Sequence, residues 1–460
     1  ETESARLFTR DAGRTAEAYY KLYQYNNELF SRYAKGSLNA SGIYFQKNLD
    51  QYLEAVSATL EGKNGQQLDE FFVEKQNDLR RVIFEYPEAI KNIEPEFGFH
   101  FENQPKSLFA ETDRFILRKV FPTDPHVKTD KSMKPIIIIP PFVLGANILA
   151  FLPQEKKSYA HGFANQGIPT YIRTMKDIQT TPALQTMSLE DDLNDTIYFC
   201  EKVKKTHGNM VTLNGYCQGG FSALCNLLTG ELDGLVDALI TCVAPMDGTK
   251  SVGLGNFLNS LPEEFNDLDF GTKTLPNGNK IANGNLMGWV YKIKSIENSG
   301  PMANFFQDLM MLGSRNGKAP QINKTVAALN YWLQNERSDL PLSVTKMSYD
   351  SYNIPISADG TLPITIAGKK LNLKSLKKSH LRWLLCYGET DDLVEKEVAL
   401  APLEWVKPEV TPFPKGHVAI ATSWSHPGSA YAIDTLFEDG KHRGPVRFQL
   451  DLAEELRSKS

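Results

Sequence analysis

The sequence predicts an α/β protein with a mostly parallel sheet, crossover helices and a helical N-terminal region. The central observation is Ile136–Ile139, an unbroken β-branched run between prolines that is typical of a strand buried on both faces of a parallel sheet. Similar short apolar runs recur at residues 170–172, 210–213, 238–244 and 383–387. A helix is predicted from Ser188, because Asp191 completes a capping-box-like arrangement ahead of an apolar stripe. Strand, helix and strand in alternation indicate a parallel sheet.

The composition indicates a globular protein with a substantial core. The 460 residues are 41% hydrophobic and 10% aromatic, and a chain of this length is expected to form two or three domains. A net charge of -5, without a block of like charge, argues against nucleic acid as the main partner. Five cysteines without a CxxC pair favour a reducing, cytoplasmic compartment. No apolar run approaches the roughly 20 residues that span a bilayer, and the opening residues lack a secretory-signal pattern.

Helices are predicted for about the first 90 residues. One apolar stripe at helical spacing comprises Phe45, Leu49, Tyr52, Leu53, Val56 and Leu60. This spacing predicts an amphipathic helix with a buried face. A small helical domain is the favoured interpretation, and binding to a partner or to a membrane surface is the alternative.

A polar stretch at residues 123–134 separates the helical region from the first strand and predicts a domain connection. We therefore predict a helical N-terminal region with its linker over residues 1–130 and an α/β domain over residues 131–460. Gly- and Asn-rich turns and aromatic-rich stretches interrupt the alternation of strands and helices between about residues 249 and 345. We interpret this segment as a cap inserted over the sheet, near the functional site.

The sharpest local signal is the segment 215–220, Gly-Tyr-Cys-Gln-Gly-Gly, between a predicted strand and a predicted helix. A G-x-nucleophile-x-G turn holds its central residue in a strained backbone at the carboxyl edge of a sheet, and the flanking glycines relieve crowding. The pattern therefore predicts an α/β-hydrolase fold with Cys217 as the nucleophile. The N-terminus of the following helix and a nearby histidine would favour the reactive thiolate. A buried structural cysteine in a glycine-rich turn is the alternative.

Two backbone N–H groups are predicted to form an oxyanion hole. Gln218, the residue after the nucleophile, would supply one of them. The loop after the strand Ile136–Ile139 would supply the other, at Phe142 or Val143. Such donors stabilise the negative charge that develops on a carbonyl oxygen during acyl transfer.

A nucleophile on this fold is followed along the chain by an acid and then by a histidine. Asp391 comes shortly after the predicted strand at residues 383–387, and His417 lies on a short loop further on, so both match this order. His417 would take the proton of Cys217 and later activate the incoming group. Asp391 would fix the tautomer of the histidine.

Other residues compete for these roles. Asp392 and Asp247 are alternative acids, and His426 is an alternative base that we interpret as structural because its context is turn-like. Three further histidines lack a catalytic setting and are expected in the core or on the surface: His161, His207 and His380. Cys225, about two helical turns from Cys217, is expected to be a core residue.

No motif predicts a cofactor or a metal ion. The sequence Gly253-Leu254-Gly255 lacks the preceding strand and the third glycine of a dinucleotide-binding loop, and no Walker loop is present. No cluster of histidine or cysteine has zinc-binding spacing.

The segment from about residue 134 to 431 resembles the polyhydroxyalkanoate synthase family, cysteine-dependent relatives of lipases that polymerise hydroxyacyl-CoA thioesters. The nucleophile motif at 215–220 and the histidine motif at 416–419 carry the likeness, together with a return from cap to core at Tyr331-Trp332, Asp339-Leu340-Pro341, Asn353 and residues 366–373. One departure is Asp392, because the family usually has a histidine after its acid.

The resemblance implies an acyltransferase that polymerises 3-hydroxyacyl-CoA through an acyl-thioester on Cys217 and releases CoA. It also implies the growing polyester as a partner, a cytoplasmic location at polymer granules, and a homodimer or an accessory helical subunit. The CoA thioester is the substrate, and no cofactor is expected. Two alternatives remain: an intracellular polyester depolymerase or thioesterase that uses the same residues, and a non-catalytic granule-associated protein.

Overall fold

Eight strands form one sheet in the computed structural model, which describes residues 11–93, 97, 101, 104, 106–255, 271–294, 296–312, 324–377, 380–438 and 440–458. The described strands are β1 (Leu108–Glu111), β2 (Phe115–Val120), β3 (Ile136–Ile139), β4 (Thr170–Met175), β5 (Val211–Tyr216), β6 (Val236–Cys242), β7 (Thr272–Thr274), β8 (Lys280–Ala282), β9 (Leu340–Pro341), β10 (Thr361–Ile366), β11 (Lys369–Asn372), β12 (Arg382–Gly388), β13 (Glu409–Phe413), β14 (Leu436–Phe437) and β15 (His442–Arg443).

Helices flank these strands along the described chain. They are α1 (Ala12–Glu61), α2 (Leu68–Arg80), which continues through a π-helical turn (Arg81–Glu85), α3 (Tyr86–Ile93), α4 (Tyr159–Ala164), α5 (Pro182–Gln185), α6 (Leu189–His207), α7 (Gln218–Leu228), α8 (Gly284–Lys294), α9 (Ile296–Ser299), α10 (Pro301–Leu312), α11 (Lys324–Asn335), α12 (Leu342–Asn353), α13 (Lys396–Ala399) and α14 (Pro445–Arg457).

The main sheet has the strand order β1-β2-β4-β3-β5-β6-β12-β13. The pairs β1–β2 and β2–β4 are antiparallel, and each pair from β4 to β13 is parallel. The four isoleucines of β3 are each at most 2% exposed, because helices cover both faces of a parallel sheet. The mostly parallel sheet, its crossover helices and the strand–turn–helix after β5 form the predicted α/β-hydrolase fold.

Local signals set the positions of several elements. Ser188 caps α6, because its Oγ accepts the backbone N–H of Asp191 at 3.1 Å and the Asp191 carboxylate accepts the backbone N–H of Ser188 at 2.9 Å. The helix ends at Gly208, whose φ of 74° is a left-handed conformation that glycine adopts without strain. The apolar runs predicted as strands coincide with β4, β5, β6 and β12.

The sheet begins before the domain boundary that we predicted at residue 130. Strands β1 and β2 form its antiparallel edge, and the compact unit that contains the sheet has its described residues within 96–259, 264–287 and 334–460. The sequence does not predict β2, because Arg118 and Lys119 interrupt the apolar pattern of this strand. Phe115, Leu117 and Val120 of this strand are nevertheless buried.

The second compact unit has its described residues within 1–95 and 288–333 and is helical. Helix α1 packs against α9 and α10, and Arg32 of α1 forms an ion pair with Glu297 of α9. The helical unit also contains a buried apolar cluster, which consists of Val82, Tyr86 and Leu309 with Tyr44, Phe305 and Phe306 packed against it.

The apolar stripe predicted for α1 lies on a helix, but the expectation that it is buried is wrong for most of its members. Phe45, Leu49, Leu53 and Leu60 are each more than half exposed. The spacing of apolar residues defines a helix face but not what covers that face. No helix in the described part of the chain, α1 included, has both the length and the apolar character needed to cross a membrane.

Candidate active site

Cys217 occupies the sharp turn between β5 and α7. Its backbone has φ 51° and ψ -125°, a combination that non-glycine residues rarely adopt. Its N–H donates to the Cys242 carbonyl at 2.8 Å, and its own carbonyl accepts the N–H of Gly220 at 2.9 Å. These hydrogen bonds hold the strained residue at the carboxyl edge of the sheet, which is the geometry predicted for a nucleophile elbow.

Close backbone packing explains the glycines of the elbow. A Cβ atom on Gly215 would collide with the backbone of Gly219 and Gly220. A Cβ atom on Gly219 would collide with the carbonyl oxygens of Ile139 and Pro140. The start of α7 therefore lies directly against the end of β3, where the predicted oxyanion loop begins.

Gly219→Ala is expected to destabilise the fold by about 1–3 kcal/mol, because the added methyl group meets backbone atoms that cannot rotate away. Gly42→Ala in α1 is the matched control, since no heavy atom apart from the neighbouring backbone of its own helix lies within 4 Å of its Cβ position. The control should stabilise the protein by about 0.5–1 kcal/mol. Thermal unfolding measures both effects, and an unchanged melting temperature for Gly219→Ala would contradict the packing described here.

The predicted oxyanion donors lie on these two contacting segments. Gln218 is the first residue of α7, so its backbone N–H has no acceptor within the helix. Phe142 and Val143 follow β3, and each is at most 3% exposed. The Gln218 side chain donates to the hydroxyl of Ser348 in α12. The chain thus brings all three predicted residues to the same edge of the sheet.

Asp391 and His417 form a buried pair, with 2.8 Å between Asp391 Oδ2 and His417 Nδ1. Asp391 follows β12 and His417 follows β13, and these neighbouring parallel strands end at the same sheet edge. The second carboxylate oxygen accepts the backbone N–H groups of Leu393 and Val394 at 2.9 Å each. The carboxylate therefore holds Nδ1 and leaves Nε2 for chemistry.

The Cys217 thiol also interacts with the His417 ring. Burial disfavours the charged imidazolium, but the charge of Asp391, its hydrogen bond to Nδ1 and the neighbouring Cys217 outweigh this effect, so the pKa of His417 lies well above its usual value. Nε2 is buried and makes no hydrogen bond of normal geometry. Contacts of this kind often tighten only when substrate binds. The structure thus brings Cys217, His417 and Asp391 together.

The raised pKa of His417 predicts a pH-dependent contribution to stability. Because the pKa of His417 is higher in the folded than in the unfolded state, protonation of this residue stabilises the fold. The contribution is complete below about pH 6.5, the pKa of an unfolded histidine, and it is lost as the pH rises through the pKa of the folded state. The melting temperature of the parent should therefore exceed that of Asp391→Asn by more at about pH 6 than at about pH 9. A difference that grows with pH would contradict this sign.

Tyr216 supports the loop that carries His417, although sequence reasoning did not identify it. Its hydroxyl donates to the His417 carbonyl oxygen at 2.7 Å and also hydrogen-bonds to the backbone of Ala421. Its ring lies edge-on to the His417 ring at 6.3 Å between centroids. Tyr216, which precedes Cys217 in the chain, therefore fixes the loop of His417, and its aromatic ring with a polar tip is the only sequence signal for this role.

The competing candidates have structural contacts. The buried Asp247 caps the 3₁₀ turn that follows it by accepting the backbone N–H of Thr249 at 3.1 Å. Nδ1 of His426 accepts the backbone N–H of Gly428 at 3.0 Å, within a turn. Cys225 is fully buried, which raises the pKa of its thiol. Two other histidines bond to neighbouring hydroxyl groups: His161 and His207.

A cavity of about 810 Å³ borders the predicted oxyanion loop. Pro140, Pro141 and Phe142 form one wall, and residues 336–339 form another. Cys217, Asp391 and His417 are not among its described lining residues. The cavity therefore lies beside the candidate site rather than over Cys217.

Solved structures similar to this chain include esterases and a thioesterase domain. An esterase from Rhodococcus sp. ECU1013 is 12% identical over 76% of this chain and 99% of its own, with a TM-score of 0.38. A thermophilic esterase from Thermogutta terrifontis is 12% identical over 76% and 97%, with a TM-score of 0.36. The thioesterase domain from the curacin biosynthetic pathway is 11% identical over 69% and 95%, with a TM-score of 0.37.

Neither a protein-family model nor a curated protein sequence matches the chain. The solved structures are too distant to bear on its activity. The fold assignment stands on the strand order, the strand directions and the elbow of this chain itself.

Proposed function

We propose that this chain is an acyltransferase, similar to polyhydroxyalkanoate synthases, that polymerises 3-hydroxyacyl-CoA and releases CoA. The observation that carries the proposal is a cysteine in a strained elbow beside a buried histidine–aspartate pair. This is the arrangement that nucleophilic acyl transfer requires. The sequence resemblance to the family supports the choice of substrate.

A cysteine nucleophile suits transfer between two acyl carriers. Cys217 and CoA both form thioesters, so moving the acyl group from one sulfur to the other keeps its reactivity. The later attack by a hydroxyl group converts this thioester into a more stable ester, which drives chain growth forward. A serine at the same position would form an ester in the first step and lose that driving force.

In the first step the Cys217 thiolate attacks the thioester carbonyl carbon. The carbon–sulfur bond to CoA breaks, and the CoA sulfur takes the proton that His417 carries on Nε2. The backbone N–H groups of Gln218 and of Phe142 or Val143 would stabilise the negative carbonyl oxygen that forms in between. The acyl group is then held on Cys217.

In the second step His417 Nε2 takes the proton of a hydroxyl group on the next monomer or on the chain end. The resulting oxygen attacks the acyl carbon on Cys217, an ester bond forms, and the bond from carbon to Sγ breaks. Asp391 holds the histidine in the required orientation throughout. The substrate thioester supplies the chemistry, and the proposal includes no cofactor.

The proposal places the protein in the cytoplasm at polymer granules. A homodimer or an accessory helical subunit belongs to the same proposal, on the basis of the sequence resemblance. Size-exclusion chromatography with light scattering measures directly whether the chain forms a homodimer.

The decisive experiment incubates the purified protein with 3-hydroxybutyryl-CoA and follows two products. A thiol reagent measures released CoA, and chloroform-soluble polyester is quantified from the same reaction. Both products are expected to rise together. Free 3-hydroxybutyrate without polymer would replace the proposal by a thioesterase, and release of hydroxy acid from added polyester would replace it by a depolymerase. No product with any of these substrates would favour a non-catalytic granule-associated protein.

A further inference from the structure

A buried cation lies beneath the predicted oxyanion loop. Arg173 of β4 is only 3% exposed. Its guanidinium carbon lies 4.3 Å from the centre of the Phe115 ring and 5.8 Å from the centre of the Phe142 ring. A guanidinium favours such contacts with aromatic faces, particularly where water is excluded. The ring of the residue predicted to supply an oxyanion donor therefore rests against a fixed charge.

Helix α6 holds Arg173 in place. Nη2 lies 2.9 Å from Asp192 Oδ1, and Nη1 donates to the hydroxyl of Thr196 at 2.8 Å. Both members of the ion pair are almost fully buried. Burial removes the water that would solvate each charge, and only a well-aligned partner of opposite charge compensates for that loss. The positions of Arg173 and Asp192 therefore depend on each other.

The same aspartate binds the helix that starts at the elbow. Asp192 Oδ2 accepts the Ser222 hydroxyl at 2.8 Å and the Asn226 side-chain amide at 2.9 Å. Ser222 and Asn226 belong to α7, whose first residue is Gln218. The Asp192 carboxylate thus connects α7, the helix that begins at Gln218, with Arg173, which lies beneath the loop of the second predicted donor.

We infer that Arg173 and Asp192 are positioning residues that set the spacing between Gln218, the first oxyanion donor, and the loop at Phe142 and Val143 that supplies the second. This inference rests on the proposed function for the identity of the donors. The network touches neither the nucleophile nor the base, so it should affect the stabilisation of a carbonyl oxyanion and not the reactivity of the thiol. A displacement of about 1 Å in such a donor can cost about 100-fold in rate.

Two reactions of Cys217 separate these effects. Acylation by 3-hydroxybutyryl-CoA or by p-nitrophenyl acetate passes through an oxyanion and requires the donors. Alkylation by iodoacetamide joins Sγ to a tetrahedral carbon and expels iodide, so no oxyanion forms. Intact-protein mass spectrometry follows both reactions on the full chain.

The test variants are Arg173→Lys, which keeps the charge but loses the planar group, and Phe142→Leu, which keeps the backbone N–H but loses the ring. Each is expected to slow acylation by about 10- to 100-fold and to change alkylation by less than about twofold. The control is Arg114→Lys, because Arg114 forms an ion pair with Asp195 on the same helix at 2.7 Å. It should leave both rates near those of the parent. Phe142→Leu keeps the test valid if Arg173→Lys does not fold.

Unchanged acylation in both variants, or equal losses in acylation and alkylation, would overturn the inference. A parent that reacts with p-nitrophenyl acetate but not with the CoA thioester would overturn the proposed function and leave the positioning role testable. A parent that is alkylated but acylated by neither reagent would overturn both.

Discussion

Replacement of Cys217 by alanine is expected to abolish acyl transfer, with a fall in CoA release of about 10⁴-fold or more. Alanine cannot form the acyl-thioester, and no other described cysteine occupies a strained turn beside a histidine. Release of CoA from 3-hydroxybutyryl-CoA measures the loss. Mass spectrometry of the parent should show one added acyl group that the variant lacks.

Cys225→Ala is the matched control for this variant. Cys225 lies on the same helix as the elbow and is fully buried, so its loss removes a thiol without touching the site. Its acyl transfer should remain close to that of the parent. Near-normal activity in Cys217→Ala, or a comparable loss in Cys225→Ala, would remove the central claim of the proposed mechanism.

Asp391→Asn is expected to lower kcat by about 10³- to 10⁴-fold with a small change in KM. The carboxylate accepts a hydrogen bond from His417 Nδ1–H at 2.8 Å, whereas an amide nitrogen in its place would donate a hydrogen bond to Nδ1. The histidine would then carry its proton on Nε2, where it cannot take one from a thiol or hydroxyl. Steady-state kinetics on the CoA thioester measure the effect.

Asp247→Asn tests the rival acid. Asp247 is as buried as Asp391, but its carboxylate caps a 3₁₀ turn. This variant should keep its kcat and nearly all of its stability, because asparagine caps a helical turn about as well as aspartate does. Loss of activity in Asp247→Asn with normal activity in Asp391→Asn would reverse the assignment.

Much of the fold could be predicted because short stretches of the sequence carry the patterns typical of its strands and helices. The buried β3 appears as four isoleucines, and α6 appears as a capping box at Ser188 followed by an apolar stripe. Strand β2 escaped prediction because Arg118 and Lys119 break its pattern, and only its pairing with β4 makes it part of the sheet. A strand of this kind forms because it pairs with a distant segment, and its own residues carry no pattern that predicts the pairing.

In the helical unit the local pattern predicted the secondary structure but not the burial of the side chains. The spacing of Phe45, Leu49, Leu53 and Leu60 correctly predicted a helix. It also suggested burial, but these side chains are exposed in the chain. Periodicity specifies which residues share a face, whereas burial depends on the elements that fold against that face.

The sequence by itself determined the strained turn at Cys217 and the order in which Asp391 and His417 follow it, because such a turn and the ends of strands depend on neighbouring residues. Only the tertiary structure decided how these residues are supported. Tyr216 reaches the loop of His417, and Asp192 joins Arg173 to helix α7, across segments that lie far apart in the chain. Such contacts arise only after the sheet has aligned its carboxyl ends, so the sequence pattern does not contain them.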